Sequence, residues 1–200
     1  MTYSYVDKTL EFFKLYETKN LDDYLKRLYF IYPTLHIEHD RLGEILIEAQ
    51  KRFKTSFHHI KVIGSKHQGF SFIDKYKNGK IKYVEDTSDI DLAIIDSYLF
   101  NNLLTNTMIE TENFTLRTKF KKPDYFQYYR KNIMSGFIRP DSLGCYRDRK
   151  LFEGFSKDME GEYGIKVSAA VYLNEISFIT RLNKQIRGFY ELEEVKHGLK

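Results

Sequence analysis

A chain of 200 residues with 42% hydrophobic and 30% charged residues, including 16 Tyr and 16 Phe, has a globular composition, which excludes a disordered or fibrous class. The length fits one domain that can bury a sizeable aromatic core. No segment approaches the roughly 18 consecutive apolar residues that a membrane-spanning helix needs. The net charge of +4 is unevenly placed. Thr111 to Lys150 carries ten Lys/Arg against four Asp/Glu, with eight aromatic residues interleaved. The opening MTYSYVDKTLEFFKLYETKN has no basic stretch followed by an apolar run, so no signal peptide is expected. The single Cys145 cannot close an internal disulfide, which fits a cytoplasmic protein.

The first 55 residues are predicted to be helical. Val6, Leu10, Phe13 and Tyr16 keep a three-to-four spacing, as do Leu21, Tyr24, Leu25 and Leu28. Another helix is expected from Asp40 to Phe53, with Leu42, Ile45, Leu46, Ala49 and Phe53 on one stripe. HHIKVIGS is short and β-branched and ends in Gly64-Ser65, which predicts a strand running into a loop. FSFIDKYKNGKIKYVE sets Asn78-Gly79 between two alternating segments, the pattern of a hairpin with a type I′ turn. SDIDLAII is the next strand. Helices are expected over Tyr98 to Met108, over PDYFQYYRKNIMSGF behind Pro123, and over RDRKLFEGFSKDM. GIKVSAAVYL is the last strand. It leads into a helix from Asn174 on which Ile176, Ile179, Leu182, Ile186 and Phe189 form a stripe. The expected fold is α+β: a small mixed β-sheet flanked by helices, in a single domain over residues 1–200. Its parts are a helical lead (1–55), a core sheet (56–175) with a hairpin insertion at 70–85, and a C-terminal helix (174–192).

SDIDLAII carries the chemistry. Successive strand residues alternate faces, so Ile90, Leu92 and Ile94 share an aliphatic face. Asp89, Asp91, Ala93 and Ile95 share the other. Two like charges about 7 Å apart along a strand are unfavourable in a core. A divalent cation removes that cost, and Mg²⁺ prefers one or two carboxylates together with substrate phosphates. In VIGSKHQG, a glycine after a strand lets backbone and serine hydroxyl approach a phosphate. Gly64 and Ser65 are therefore candidate nucleotide-binding residues, and Lys66 is a candidate phosphate contact or an exposed loop lysine. Asp89 and Asp91 are the candidate catalytic and metal-binding residues.

Gly64-Ser65 with Gly69, followed by Ser88-Asp89-Ile90-Asp91-Leu92, resembles the signature of the polymerase-β-type nucleotidyltransferase superfamily. The resemblance covers about Ile60 to Ile95 and adds Ser88 to the candidate nucleotide-binding residues. It implies a mixed sheet carrying a nucleoside triphosphate, with the Gly-Ser loop on the phosphates, the Asp pair on Mg²⁺ or Mn²⁺, and transfer of a nucleoside monophosphate to an acceptor hydroxyl. It also implies a third carboxylate on a later, neighbouring strand. The matching strand IKVSAAVYL has no acidic residue, and Ser168 or Ala170 stands near that place.

Two other readings share the sequence. A domain of the same fold that binds nucleotide or a partner without turnover is consistent with the absent acid. A nucleic-acid-binding module would use the basic, aromatic segment 111–150, for which the plainer alternative is a solvated helical face with aromatic core contacts. Lys184 and Arg187 are candidates for triphosphate contact or for a solvated helix face. His58 and His59 face opposite ways on a strand, and Cys145 has no neighbouring histidine, so neither zinc nor thiol chemistry is expected.

Overall fold

The computed structural model describes residues 4–73 and 78–199. Its centre is a four-stranded mixed sheet made of β1 (Ile60–Ile63), β4 (Ile90–Ile95), β6 (Val167–Tyr172) and β5 (Phe137–Ile138), in that spatial order. The middle pair, β4 and β6, is parallel, with Asp91 opposite Ser168 and Ala93 opposite Ala170. β1 and β5 flank it antiparallel, and Ile63 faces Asp91 across the β1–β4 ladder. The α+β class, the mixed sheet and the helical lead all match the sequence expectation.

Helices cover both faces of the sheet. Ile90, Leu92 and Ile94 enter a core with α3 (His39–Phe53), α5 (Ser97–Glu110), α6 (Pro123–Ile133) and α7 (Tyr146–Tyr163). Ala93 and Tyr172 enter a second core with α1 (Val6–Tyr16), α2 (Leu21–Lys26) and α8 (Glu175–Tyr190). The Asp-bearing face of β4 is therefore core at its Ala93 end and cleft at its Asp91 end. Three helices start on side-chain caps that satisfy their first amides. Glu38 accepts from Asp40 and Arg41 nitrogens, Asp96 from Tyr98 and Leu99, and Asn174 from Ser177.

The structure corrects several finer expectations. Ile176 is 76% exposed, whereas Ile179, Leu182, Ile186 and Phe189 are buried. The buried residue in the first turn of α8 is Phe178 instead. In α1 the buried stripe is Val6, Thr9 and Phe13, while Tyr16 is 47% exposed. Thr9 is tolerated there because its hydroxyl bonds the Tyr5 carbonyl at 2.9 Å and meets the Tyr24 hydroxyl. A short helix, α9 (Glu193–Leu199), follows α8 and buries Val195. The helix expected over PDYFQYYRKNIMSGF ends at Ile133, and Phe137 with Ile138 forms the buried strand β5, too short to show a periodicity.

The hairpin exists in a different register. β2 (Phe70–Ser71) pairs with β3 (Lys82–Tyr83), Phe70 opposite Tyr83 and Ser71 opposite Lys82. A two-residue turn at Asn78-Gly79 would set Lys80 opposite residue 77, which is four positions out of step with that pairing. Asn78 and Gly79 instead sit within the loop, and residues 74–77 lie outside the described residues. Asn78 Oδ1 accepts from the Lys80 amide at 3.1 Å, and the Gly79 carbonyl accepts from the Glu194 amide at 3.1 Å. Side-chain and backbone bonds to α9 thus replace ladder pairing in fixing this segment.

Candidate functional site

Asp91 lies on β4, and Asp89 lies one residue before its first paired position. The Ile90 amide donates to the Lys166 carbonyl at 2.9 Å, which aligns this entry with the strand beyond. Both carboxylates line a cleft of about 360 Å³ with Gly64, Ser65 and Ser88. They also line a second cleft, of about 470 Å³, on the β6 side with Ser168, Lys166 and Arg139. The Asp pair is the ridge between the two.

Each carboxylate has a defined neighbour. The Ser168 hydroxyl donates to Asp91 Oδ1 at 2.6 Å. Lys166 Nζ stands 3.6 Å from Asp89 Oδ2, with both side chains about half exposed. Of the two residues near the place of a third carboxylate, Ser168 is the one opposite Asp91. Among the described residues, no group of three or more His, Cys, Asp or Glu side chains comes together as a metal site.

Gly64 explains why a glycine ends β1. Its φ of 73° and ψ of −160° fall in a region that is essentially glycine-only. A Cβ there would stand 3.3 Å from Asp91 Oδ2. The backbone of the Gly-Ser turn therefore reaches the Asp pair with no side chain between them. Gly64→Ala is expected to lower stability by about 1–3 kcal/mol and to crowd the carboxylate. Chemical denaturation beside wild type measures it, and an unchanged midpoint would contradict the strain.

The short helix α4 (Ser65–Gln68) is held by the N-terminal segment, through Tyr5 at the start of α1 and the loop before α3. Amides of Tyr5, Leu35 and His36 donate to the carbonyls of Gln68, His67 and Lys66 respectively, at 2.9–3.1 Å. His67 is 2% exposed. Its Nε2 stands 2.7 Å from the Leu28 carbonyl and its Nδ1 3.1 Å from the Thr34 hydroxyl. Those partners fix the Nε2–H tautomer, with Nδ1 accepting. Leu28 lies in the π-helical turn Arg27–Ile31 that ends α2. The Tyr29 hydroxyl donates to Gln68 Oε1. The helical lead thus supports the Gly-Ser turn, a role that no periodicity in residues 1–55 reveals.

Of the expected nucleotide-binding residues, Gly64, Ser65 and Ser88 line the 360 Å³ cleft. The Ser88 hydroxyl also accepts from the Glu85 amide at 2.9 Å, closing the turn before the Asp pair. Lys66 is placed otherwise. It is buried, is absent from the cleft wall, and donates from Nζ to the Asp86 carbonyl at 3.1 Å. Its work is to tie the Gly-Ser turn to the Asp86–Thr87 turn ahead of Asp89. His67 and Gln68 are both buried, and Gln68 also lines the cleft. Sequence reasoning missed Tyr29 and Gln185, both on the cleft wall.

The segment 111–150 is largely structural. Phe114, Phe120, Phe126 and Tyr129 belong to or pack on the first core. Arg149 donates to the Lys119 and Leu143 carbonyls, and Lys119, Lys121, Arg139, Arg147 and Lys150 each meet a carboxylate. Arg187 bonds Asn183 and the Thr18 carbonyl.

Comparison with protein-family models, with curated proteins and with solved structures gives no match.

Proposed function

We propose that this chain is a metal-dependent nucleotidyltransferase, moving a nucleoside monophosphate from a nucleoside triphosphate to an acceptor hydroxyl. The observation that carries the reading is the side-chain-free approach of Gly64 to Asp91, in one cleft with Ser65, Ser88 and Asp89. The donor set fits a single Mg²⁺ or Mn²⁺ ion that takes two carboxylates from the protein and completes its oxygen shell with triphosphate and water. It does not fit a cage of three protein carboxylates, since Ser168 stands opposite Asp91. Such an ion, when bound, neutralises charge developing on the phosphates.

The chain's own residues bind and orient. The Gly-Ser turn carries the triphosphate, and Ser168 holds the Asp91 carboxylate in one rotamer through its 2.6 Å bond. In the transfer, the acceptor oxygen forms a bond to the α-phosphorus. The bond from that phosphorus to its bridging oxygen breaks, pyrophosphate leaves with the electron pair, and the hydroxyl proton passes to solvent. The buried free thiol Cys145 is in keeping with a reducing, cytoplasmic setting.

A second reading, nucleotide binding without turnover, is favoured by Ser168 in the place of the third acid and by Lys166 beside Asp89. A screen of the four α-labelled triphosphates with Mg²⁺ and Mn²⁺ separates the two. Pyrophosphate with a labelled acceptor supports the enzyme. Saturable nucleotide binding with no release supports the binding domain.

A further inference from the structure

The cleft that holds the Asp pair opens into a second depression on the far side of Phe72 and Ile73. These two residues and Gln185 line both. This groove, of about 560 Å³, runs between one face of α6 and one face of α8. Tyr128, Lys131 and Asn132 are spaced i, i+3, i+4 on α6. Arg181, Lys184, Gln185 and Gly188 are spaced i, i+3, i+4, i+7 on α8, so each set shares a face. No carboxylate lines the groove among the described residues, and Lys131, Arg181 and Lys184 make no ion pair among them. The Arg181 guanidinium lies 3.6 Å from the centre of the Phe137 ring, which fixes its plane.

Asn132, 6% exposed, lines the groove beside Tyr128. Gly188 has nothing within 4 Å of where its Cβ would be, so the groove is open there. Burial raises the Tyr128 hydroxyl, but hydrogen bonding from Arg139 and Asn132 and the charges of Arg139 and Arg181 bring it below its ordinary pKa, as a positive potential does.

We infer that this groove binds the phosphodiester backbone of a single-stranded nucleic acid and delivers its terminal hydroxyl to the Asp pair, making that strand the acceptor. The inference rests on the transferase reading for the delivery and on the groove alone for the binding. Cations free of carboxylates suit phosphates. The Tyr128 ring, 39% exposed, offers a surface on which an unpaired base stacks; a paired duplex hides that face of the base. An acidic polypeptide would satisfy the charges but would leave the aromatic surface unused.

The test is fluorescence anisotropy on the full chain with labelled single-stranded RNA and DNA 12-mers, the matching duplex and polyglutamate. Both single strands are expected to bind more tightly than duplex or polyglutamate, and the RNA and DNA arms identify the preferred sugar. Three neutralised phosphates predict a slope of about −2 in log affinity against log salt. Lys131→Glu with Lys184→Glu is expected to weaken binding at least tenfold. Gly188→Glu, whose added Cβ would meet nothing within 4 Å, is expected to repeat the loss. Asp89→Asn is expected to leave strand binding unchanged while stopping extension. Binding by wild type with no extension refutes the acceptor role and leaves the groove. Equal binding of polyglutamate, or undiminished binding by both charge variants, overturns the inference.

Discussion

Replacing Asp91 by asparagine is expected to lower triphosphate-dependent pyrophosphate release by at least about a hundredfold, with Asp89→Asn similar. Asp91 occupies a position where three elements meet. Gly64 brings the backbone to Oδ2, Ser168 bonds Oδ1, and Ile63 faces it across the ladder. Asparagine keeps the volume and one acceptor oxygen but loses the charge, so the fold is retained and the attraction for a cation is not. Ser168→Ala separates positioning from charge. It removes the 2.6 Å bond while leaving the carboxylate, and should cost about tenfold. Activity of Asp91→Asn equal to wild type would contradict the assignment.

Acid is expected to destabilise this protein through one buried ring, His67. Burial holds the His67 pKa down to about 4, against an ordinary value of 6.5, and the bond to the Leu28 carbonyl only partly opposes this. Between those two values the unfolded chain binds the proton and the folded chain does not, so stability rises with pH across the window. The contribution is complete above about pH 6.5 and is lost as the pH falls toward 4. Its full size is roughly 3 kcal/mol, with about 2 kcal/mol gone by pH 5. Urea unfolding at pH 7.5 and pH 5 measures it. His67→Phe is expected to be less stable at pH 7.5, because Leu28 and Thr34 lose their partner, and to show a much smaller difference between the two pH values. An identical difference in variant and wild type would assign the acid sensitivity elsewhere. Since His67 clamps the helical lead to the Gly-Ser turn, nucleotide binding should weaken over the same range.

The parts of the fold that could be read from sequence are those whose periodicity is long and one-sided. α3 and α8 follow their aliphatic stripes except at Ile176, and β4 follows the alternation of Ile90, Leu92 and Ile94. What could not be read depends on partners distant in the chain. Lys66 reads as a candidate nucleotide contact, yet it is buried and bonds the Asp86 carbonyl, 20 residues away. Asn78-Gly79 has strong local turn chemistry, but contacts with α9 and the Phe70–Tyr83 pairing decide the register. The basic segment 111–150 divides along its helical faces. Its rings at 114, 120, 126 and 129 go to the core, whereas Tyr128 and Lys131 face the groove. For the site, the Asp pair and the Gly-Ser turn were visible as a motif. Their closeness comes from the β1–β4 register, and the identity of the residue opposite Asp91 from the β4–β6 register.

The central claim is that Asp89, Asp91 and the Gly-Ser turn together hold a metal–triphosphate. A crystal grown with Mn²⁺ and a non-hydrolysable triphosphate analogue tests it most directly, through the anomalous signal of the metal. The account predicts a single Mn²⁺ peak at about 2.0–2.2 Å from oxygens of both carboxylates, with the triphosphate lying against Gly64 and Ser65. A peak elsewhere, or a nucleotide bound away from that turn, would contradict it.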